Sequence, residues 1–204
     1  MVRWQPGARE RLQEAALELF ATQGFEQTTA AEIAQSVGLT ERTFFRHFSD
    51  KREVLFDGQS IFLDAFLEGI EAAPPHASAL QLVAAALDAA GAFFVNERRP
   101  HSRMRYSVIA QNPALQEREL HKFFVLASAV AEALRARGVA EPLATLAAES
   151  GATMFGIAFA QWIREGEERT LAVIGRQVLR EFQSLTAESI EPARSSQDAS
   201  RSRG

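Results

Sequence analysis

Residues 28–55 read TTAAEIAQSVGLTERTFFRHFSDKREVL, and two short helices are written in them. Thr29 is placed to cap the first, and Ala30, Ile33, Ala34 and Val37 line one face of it at helical spacing. Gly38 supplies the left-handed residue that ends that helix, and Leu39 plugs the turn. Thr40 is placed to cap a second helix whose inward face is Phe44 and Phe48, one turn apart. Two helices of about two turns joined by a tight Gly turn make a helix-turn-helix, whose second helix is shaped for the DNA major groove.

The segment IAQSVGLTERTFFRHFSDKREVL resembles the N-terminal signature of the tetracycline-repressor (TetR) family of transcriptional regulators. The matching positions are Ile33, Ala34, Gly38, Thr40, Thr43, Phe44, Phe45, His47, Phe48, Lys51 and Leu55. Ala16, Leu17, Phe20, Gly24 and Phe25 extend the match into a preceding helix. Two positions depart from the pattern. Phe45 stands where the family commonly has a Tyr whose hydroxyl meets phosphate, so this position offers apolar contact alone. Arg42 stands where a small residue is common, and its fork of donors at the start of the second helix suits guanine readout.

The DNA contacts expected from this unit come from Thr29, Thr40, Glu41, Arg42, Thr43, Phe45, Arg46, His47 and Lys51. Thr29 and Thr40 are caps first, with phosphate contact as an added role. The resemblance implies a phosphate contact for His47, while Lys51 suits phosphate binding as an amine beside a helix N-terminus. Arg46 reads as solvated or phosphate-facing. Glu41 either stabilises the helix N-terminus through its dipole or accepts from a cytosine amine.

Charge is unevenly distributed. The chain carries a net charge of -4 with a pI near 5.7, unlike the basic balance of many nucleic-acid binders. Yet Arg42, Arg46, Lys51 and Arg52 cluster around the second helix with Asp50 as the one acid among them, while Glu10, Glu14 and Glu18 form a separate stripe. Phosphate contact requires local positive charge, not global basicity. The 204 residues suffice for one or two domains with a real core. Cysteine is absent, so neither disulfides nor thiolate metal sites form. No apolar run near 18 residues and no signal-peptide pattern are evident, so no membrane partner and a cytoplasmic location are expected.

The remainder reads as helical, with no β-alternating run and no repeat. One long helix is expected from about Lys51 to Ala72, broken at Ala73-Pro74-Pro75, and others at about 78–97, 101–111, 114–137, 142–165 and 167–186. The expected fold is all-α: a three-helix helix-turn-helix DNA-binding domain over 1–50, a helical-bundle domain for ligand binding and dimerisation over 51–188, and a disordered tail over 189–204. Apolar stripes through Met154, Ile157, Ala158 and Trp162, and through Leu171, Ile174, Val178 and Phe182, serve a core equally well as a partner helix. The resemblance implies a twofold four-helix interface there, giving a homodimer through about 145–185.

Aromatic residues crowd the second half. Core filling explains them singly. A pocket for a small apolar or aromatic effector explains them together, with Phe62, Phe66, Phe94, Met104, Tyr106, His121, Phe124, Phe159, Gln161 and Trp162 as candidate lining. The resemblance implies a repressor that binds a palindromic double-stranded DNA operator and is released by that effector. The alternatives are a helical adaptor or small-molecule-binding protein that does not use DNA, and an enzyme. The enzyme reading lacks support: four scattered histidines show no metal-ligand spacing, and no phosphate loop or nucleophile elbow appears, so no cofactor is expected.

Overall fold

Helix α1, Ala8–Gln23, forms where Leu12, Ala16, Leu17 and Phe20 recur three to four apart and bury one face. It ends at Gly24, and Thr29 opens α2, Ala30–Ser36, with a reciprocal capping box to Glu32. The computed structural model describes residues 7–188; the tail expected to be disordered from Ser189 lies outside the described residues. Gly38, at φ 70°, turns the chain after α2. Its own N–H reaches Gln35 O, and the Leu39 N–H reaches back to Ala34 O at 2.8 Å. This pair of bonds is a Schellman close, which requires the left-handed residue that glycine adopts without penalty. Thr40 then caps α3, Glu41–His47, by accepting from the Thr43 N–H.

Among the described residues seven further α-helices follow: α4 (Glu53–Phe56), α5 (Gln59–Ala72), α6 (Ala79–Phe93), α7 (Arg99–Ala110), α8 (Pro113–Ala136), α9 (Leu143–Trp162) and α10 (Leu171–Glu188), with a 3-10 turn at Asn96–Arg98. The long helix expected from Lys51 to Ala72 is in fact two. Asp57 is extended and Gly58 left-handed between them. The break has a tertiary cause: Asp57 accepts from Arg9 at 2.7 and 2.5 Å and from Gln13 at 2.7 Å, which ties the end of α4 to α1.

Two hydrophobic clusters form. The first joins Leu12, Phe20, Ile33, Phe44 and Phe48 to Val54, Leu55 and Phe56, and it takes in Val108, Ile109 and Leu115 from α7 and α8. The core of the N-terminal helices therefore runs past residue 50 and is completed by elements far along the chain. The second cluster fills the bundle of α5, α6, α8, α9 and α10, with Phe66, Ile70, Leu82, Leu134, Trp162 and Ile174 almost wholly buried.

Helix α9 corrects one expectation: where no apolar run near 18 residues was expected, it is long and apolar enough in composition to cross a membrane. In the fold it is a bundle helix: Ala144, Ala148, Ala152, Phe155 and Trp162 are buried, and it packs on α6, α8 and α10.

Candidate nucleic-acid interface

Helix α3 is anchored on one side. Phe44 is fully buried, Phe48 nearly so, and their rings lie 5.5 Å apart. Arg9 stacks its guanidinium over Phe48 at 5.0 Å, and Arg11 donates to the Val37 carbonyl, so α1 clamps both the end of α3 and the turn before it. The opposite side is open. Glu41, Arg42, Phe45 and Arg46 are exposed, and Arg42, Thr43, Phe45 and Arg46 line one shallow outer groove. Thr40 and Thr43 bring their hydroxyls within 3.0 Å at the start of the helix.

Phe45 is 51% exposed, held edge-on against Phe44 at 5.4 Å. Leaving a phenyl ring half in water is unfavourable unless something covers it. Among the described residues no ion pair engages Arg42 or Arg46. Arg52 differs: it forks onto Asp50 at 2.7 and 3.2 Å, and that hydrogen bonding holds the Asp50 carboxyl below its ordinary value. The outward charge of this region is therefore concentrated on α3. Thr29 is exposed at the start of α2, which packs against α3.

Two of the expected DNA contacts, Lys51 and His47, are less exposed than Arg42, Phe45 and Arg46. Lys51 turns inward. Its ammonium donates to the carbonyls of Phe25 at 2.7 Å, Thr28 at 3.2 Å and Glu26 at 3.3 Å, and sits over the Phe25 ring at 4.4 Å. Three donors meet three carbonyls, so Lys51 staples the turn between α1 and α2. His47 is half-buried, and its Nε2 is enclosed without a hydrogen-bond partner among the described residues.

The expected effector residues divide in two. Phe62, Phe66, Phe94, Phe159 and Trp162 come together with Phe155, with ring centres 4.9–6.0 Å apart in edge-on and tilted pairs and one stacked pair, Phe155–Phe159. Gln161 is half-buried nearby on α9. Met104, Tyr106, His121 and Phe124 are exposed instead, with Phe124 64% accessible and stacked on His121. They lie on the outer faces of α7 and α8, because the inward positions of α8 are taken by Leu115, Leu126 and Val130.

Three polar residues escaped the sequence reading. Asn96 accepts from Trp162 Nε1 at 3.0 Å and from Arg99 at 2.8 Å, while Arg99 also lies over the Trp162 ring at 5.2 Å. Lys122 lies at the other end of the aromatic cluster, 5.5 Å from the centre of Phe62 and 4.9 Å from that of Phe123. Its spacing is the signal available in the sequence, since Lys122 falls four residues before the buried Leu126, on the inward face of α8.

The sequence model of the bacterial regulatory proteins, tetR family, matches residues 12–57. The regulator TcmR of Streptomyces glaucescens is 43% identical over 81 residues, which is 40% of this chain and 36% of TcmR. The putative mycofactocin biosynthesis regulator MftR of Mycobacterium tuberculosis is 28% identical over 160 residues, 76% of this chain and 79% of MftR. The match to TcmR thus spans little over a third of that protein. Among solved structures, a putative transcriptional regulator from Pseudomonas aeruginosa has a TM-score of 0.63 at 16% identity, covering 89% of this chain and 91% of that one. The Thermus thermophilus FadR repressor, solved with lauroyl-CoA, has a TM-score of 0.51 at 23% identity over 96% of this chain and 100% of that one. At these identities the solved structures speak for the fold alone, while the N-terminal match falls on the helices that present the cationic groove. Over residues 12–57 the chain is similar to the tetR family of bacterial regulatory proteins.

Proposed function

We propose that this protein is a ligand-responsive transcriptional regulator that binds a palindromic operator as a homodimer and is released from it by a small apolar effector. The observation that carries this reading is α3. A helix held inside by Phe44 and Phe48 leaves Arg42, Thr43, Phe45 and Arg46 on one outer groove, with no ion pair to Arg42 or Arg46 among the described residues. Arg42 is the base reader at a guanine, Thr40 and Arg46 meet phosphates, and Phe45 covers a thymine methyl or a sugar. Thr29 adds a phosphate contact from α2. Lys51 supports this face from behind and does not take part in it.

Dimerisation follows from what α9 and α10 leave uncovered. Leu143, Leu146 and Ile157 form one stripe on α9, 54%, 61% and 53% exposed, and Val173 on α10 is 40% exposed. Pairing these helices with a second copy covers the stripe and sets two α3 helices on half-sites roughly 34–36 Å apart. The aromatic cluster around Phe155 receives the effector. Support for an apolar ligand comes from its composition, the rings of Phe62, Phe66, Phe94, Phe155 and Phe159. With its N-terminal helices committed to DNA, the protein works in the cytoplasm.

Selection of duplexes from a random pool, followed by gel shift, tests the reading. A palindromic site bound by two chains supports it. Failure to shift any duplex at low salt overturns it.

A further inference from the structure

The joint between the N-terminal helices and the bundle holds an unbalanced set of charges. Arg118 reaches Glu53 of α4 through two long bonds, 3.2 and 3.4 Å, and Gln59 of α5 at 3.1 Å. Its Nη1 is buried with no hydrogen-bond partner among the described residues. Arg105 of α7 donates to the Leu55 carbonyl at 2.6 Å and to Glu119 at 2.8 Å. Lys122 gives Glu119 one bond of 2.5 Å, and its ammonium lies 5.5 and 4.9 Å from the ring centres of Phe62 and Phe123. Phe56 of α4 lies between the guanidiniums of Arg105 and Arg118, at 5.2 and 4.8 Å. Three cations face two carboxylates here, and the nearby His101 is itself held below its ordinary pKa by burial and by Arg105. Burial among positive neighbours also lowers Lys122 to about 8, so it is still charged at neutral pH. A buried excess of positive charge is unfavourable until an anion completes it.

We propose that this joint receives the acidic group of the effector: an aromatic or aliphatic carboxylate lies along Phe62, Phe123 and Phe155 and sets its carboxylate on Lys122 and the unpartnered Nη1 of Arg118. This rests on the effector reading above and gives it a chemical class. It also supplies a route to DNA. The incoming carboxylate competes with Glu53 for Arg118, and Glu53 is the acid through which α4, directly after the DNA-binding helices, is tied to α8. Losing that tie frees α4 and with it the setting of α3. An aromatic cluster without the charged rim would take neutral ligands equally well; the cationic excess makes the site discriminate.

The test pairs acids with their primary amides: benzoate, 2-naphthoate and decanoate against benzamide, 2-naphthamide and decanamide, titrated calorimetrically into the full chain at pH 7. At least one acid is expected to bind tenfold or more tighter than its amide. Lys122→Met is expected to bring the two within twofold, and Glu53→Gln, which removes the competitor, to tighten the acid severalfold. Should Lys122→Met not fold, raising the pH above 8 in the native protein serves the same end: the preference must shrink as Lys122 discharges. All three pairs within twofold, or a preference that survives both Lys122→Met and alkaline pH, would overturn the proposal. Gel shift with a selected duplex, without additives, keeps the two readings apart. Intact DNA binding with no acid preference refutes the carboxylate site alone; absent DNA binding refutes the regulator.

Discussion

Lys51→Met separates two roles that one ammonium cannot fill together. In the structure its three bonds, from 2.7 to 3.3 Å, hold the carbonyls of Phe25, Glu26 and Thr28, and the charge lies 4.4 Å above the Phe25 ring. Methionine keeps most of the stem and removes every donor. Hydrogen bonds to a charged group are worth roughly 1.5–3 kcal/mol. Water replaces part of that at a half-exposed site, so a net loss of about 2 kcal/mol follows, with about 0.5 kcal/mol more from the cation–π contact. For a chain of this size each kcal/mol moves the melting temperature by roughly 2–4 °C. The variant should therefore melt roughly 5–10 °C lower, as read by circular dichroism. A phosphate contact predicts the reverse pattern: unchanged melting, and a salt dependence of DNA binding shallower by about 0.9 per subunit. A Lys51→Met protein that melts with the native chain and shows that shallower slope refutes the staple and restores Lys51 to the DNA face.

Three other outcomes follow from the same geometry. Arg42→Ala should relax preference at one base pair of the half-site, costing about 1–3 kcal/mol of discrimination there and leaving other positions alone, as a competition gel shift over single-base variants will read. Gly91→Ala places a Cβ 2.8 Å from Ala172 Cα and 2.9 Å from its N, backbone atoms of α10 that cannot rotate away. Overpacking at about 1–3 kcal/mol outweighs the roughly 1 kcal/mol of helix propensity gained, so the urea midpoint should fall and the dimer should loosen in sedimentation. Between pH 8 and 10.5 the unfolded chain holds a proton on Lys122 that the folded chain has released, because burial lowers the folded value to about 8. Folding stability from this group therefore rises with pH across that window, and Lys122→Met should flatten the rise in urea midpoints.

The helix-turn-helix was legible because its signals are local. Thr29, Gly38 and Thr40 act within four residues of themselves, and Phe44 and Phe48 declare their inward face by spacing alone. The break at Asp57-Gly58 was not, because the acid that helps hold it there answers to Arg9 and Gln13, more than forty residues away. The aromatic residues on α9 pack together where aromatic spacing coincides with burial. Met104, Tyr106, His121 and Phe124 were assigned inward by residue type, and their helices turn them out.

By itself, then, the sequence determined the all-helical class, the position of the second helix of the helix-turn-helix and which of its faces is greasy, since each depends on caps, turns and a 3.6-residue period. Tertiary structure alone decided the fates of the charged groups. Lys51 as staple, Lys122 at the aromatic rim, and Arg118 between Glu53 and an unused donor are settled by neighbours distant in the chain. The free energy of a charge depends on what surrounds it, and no residue type carries that information along the chain.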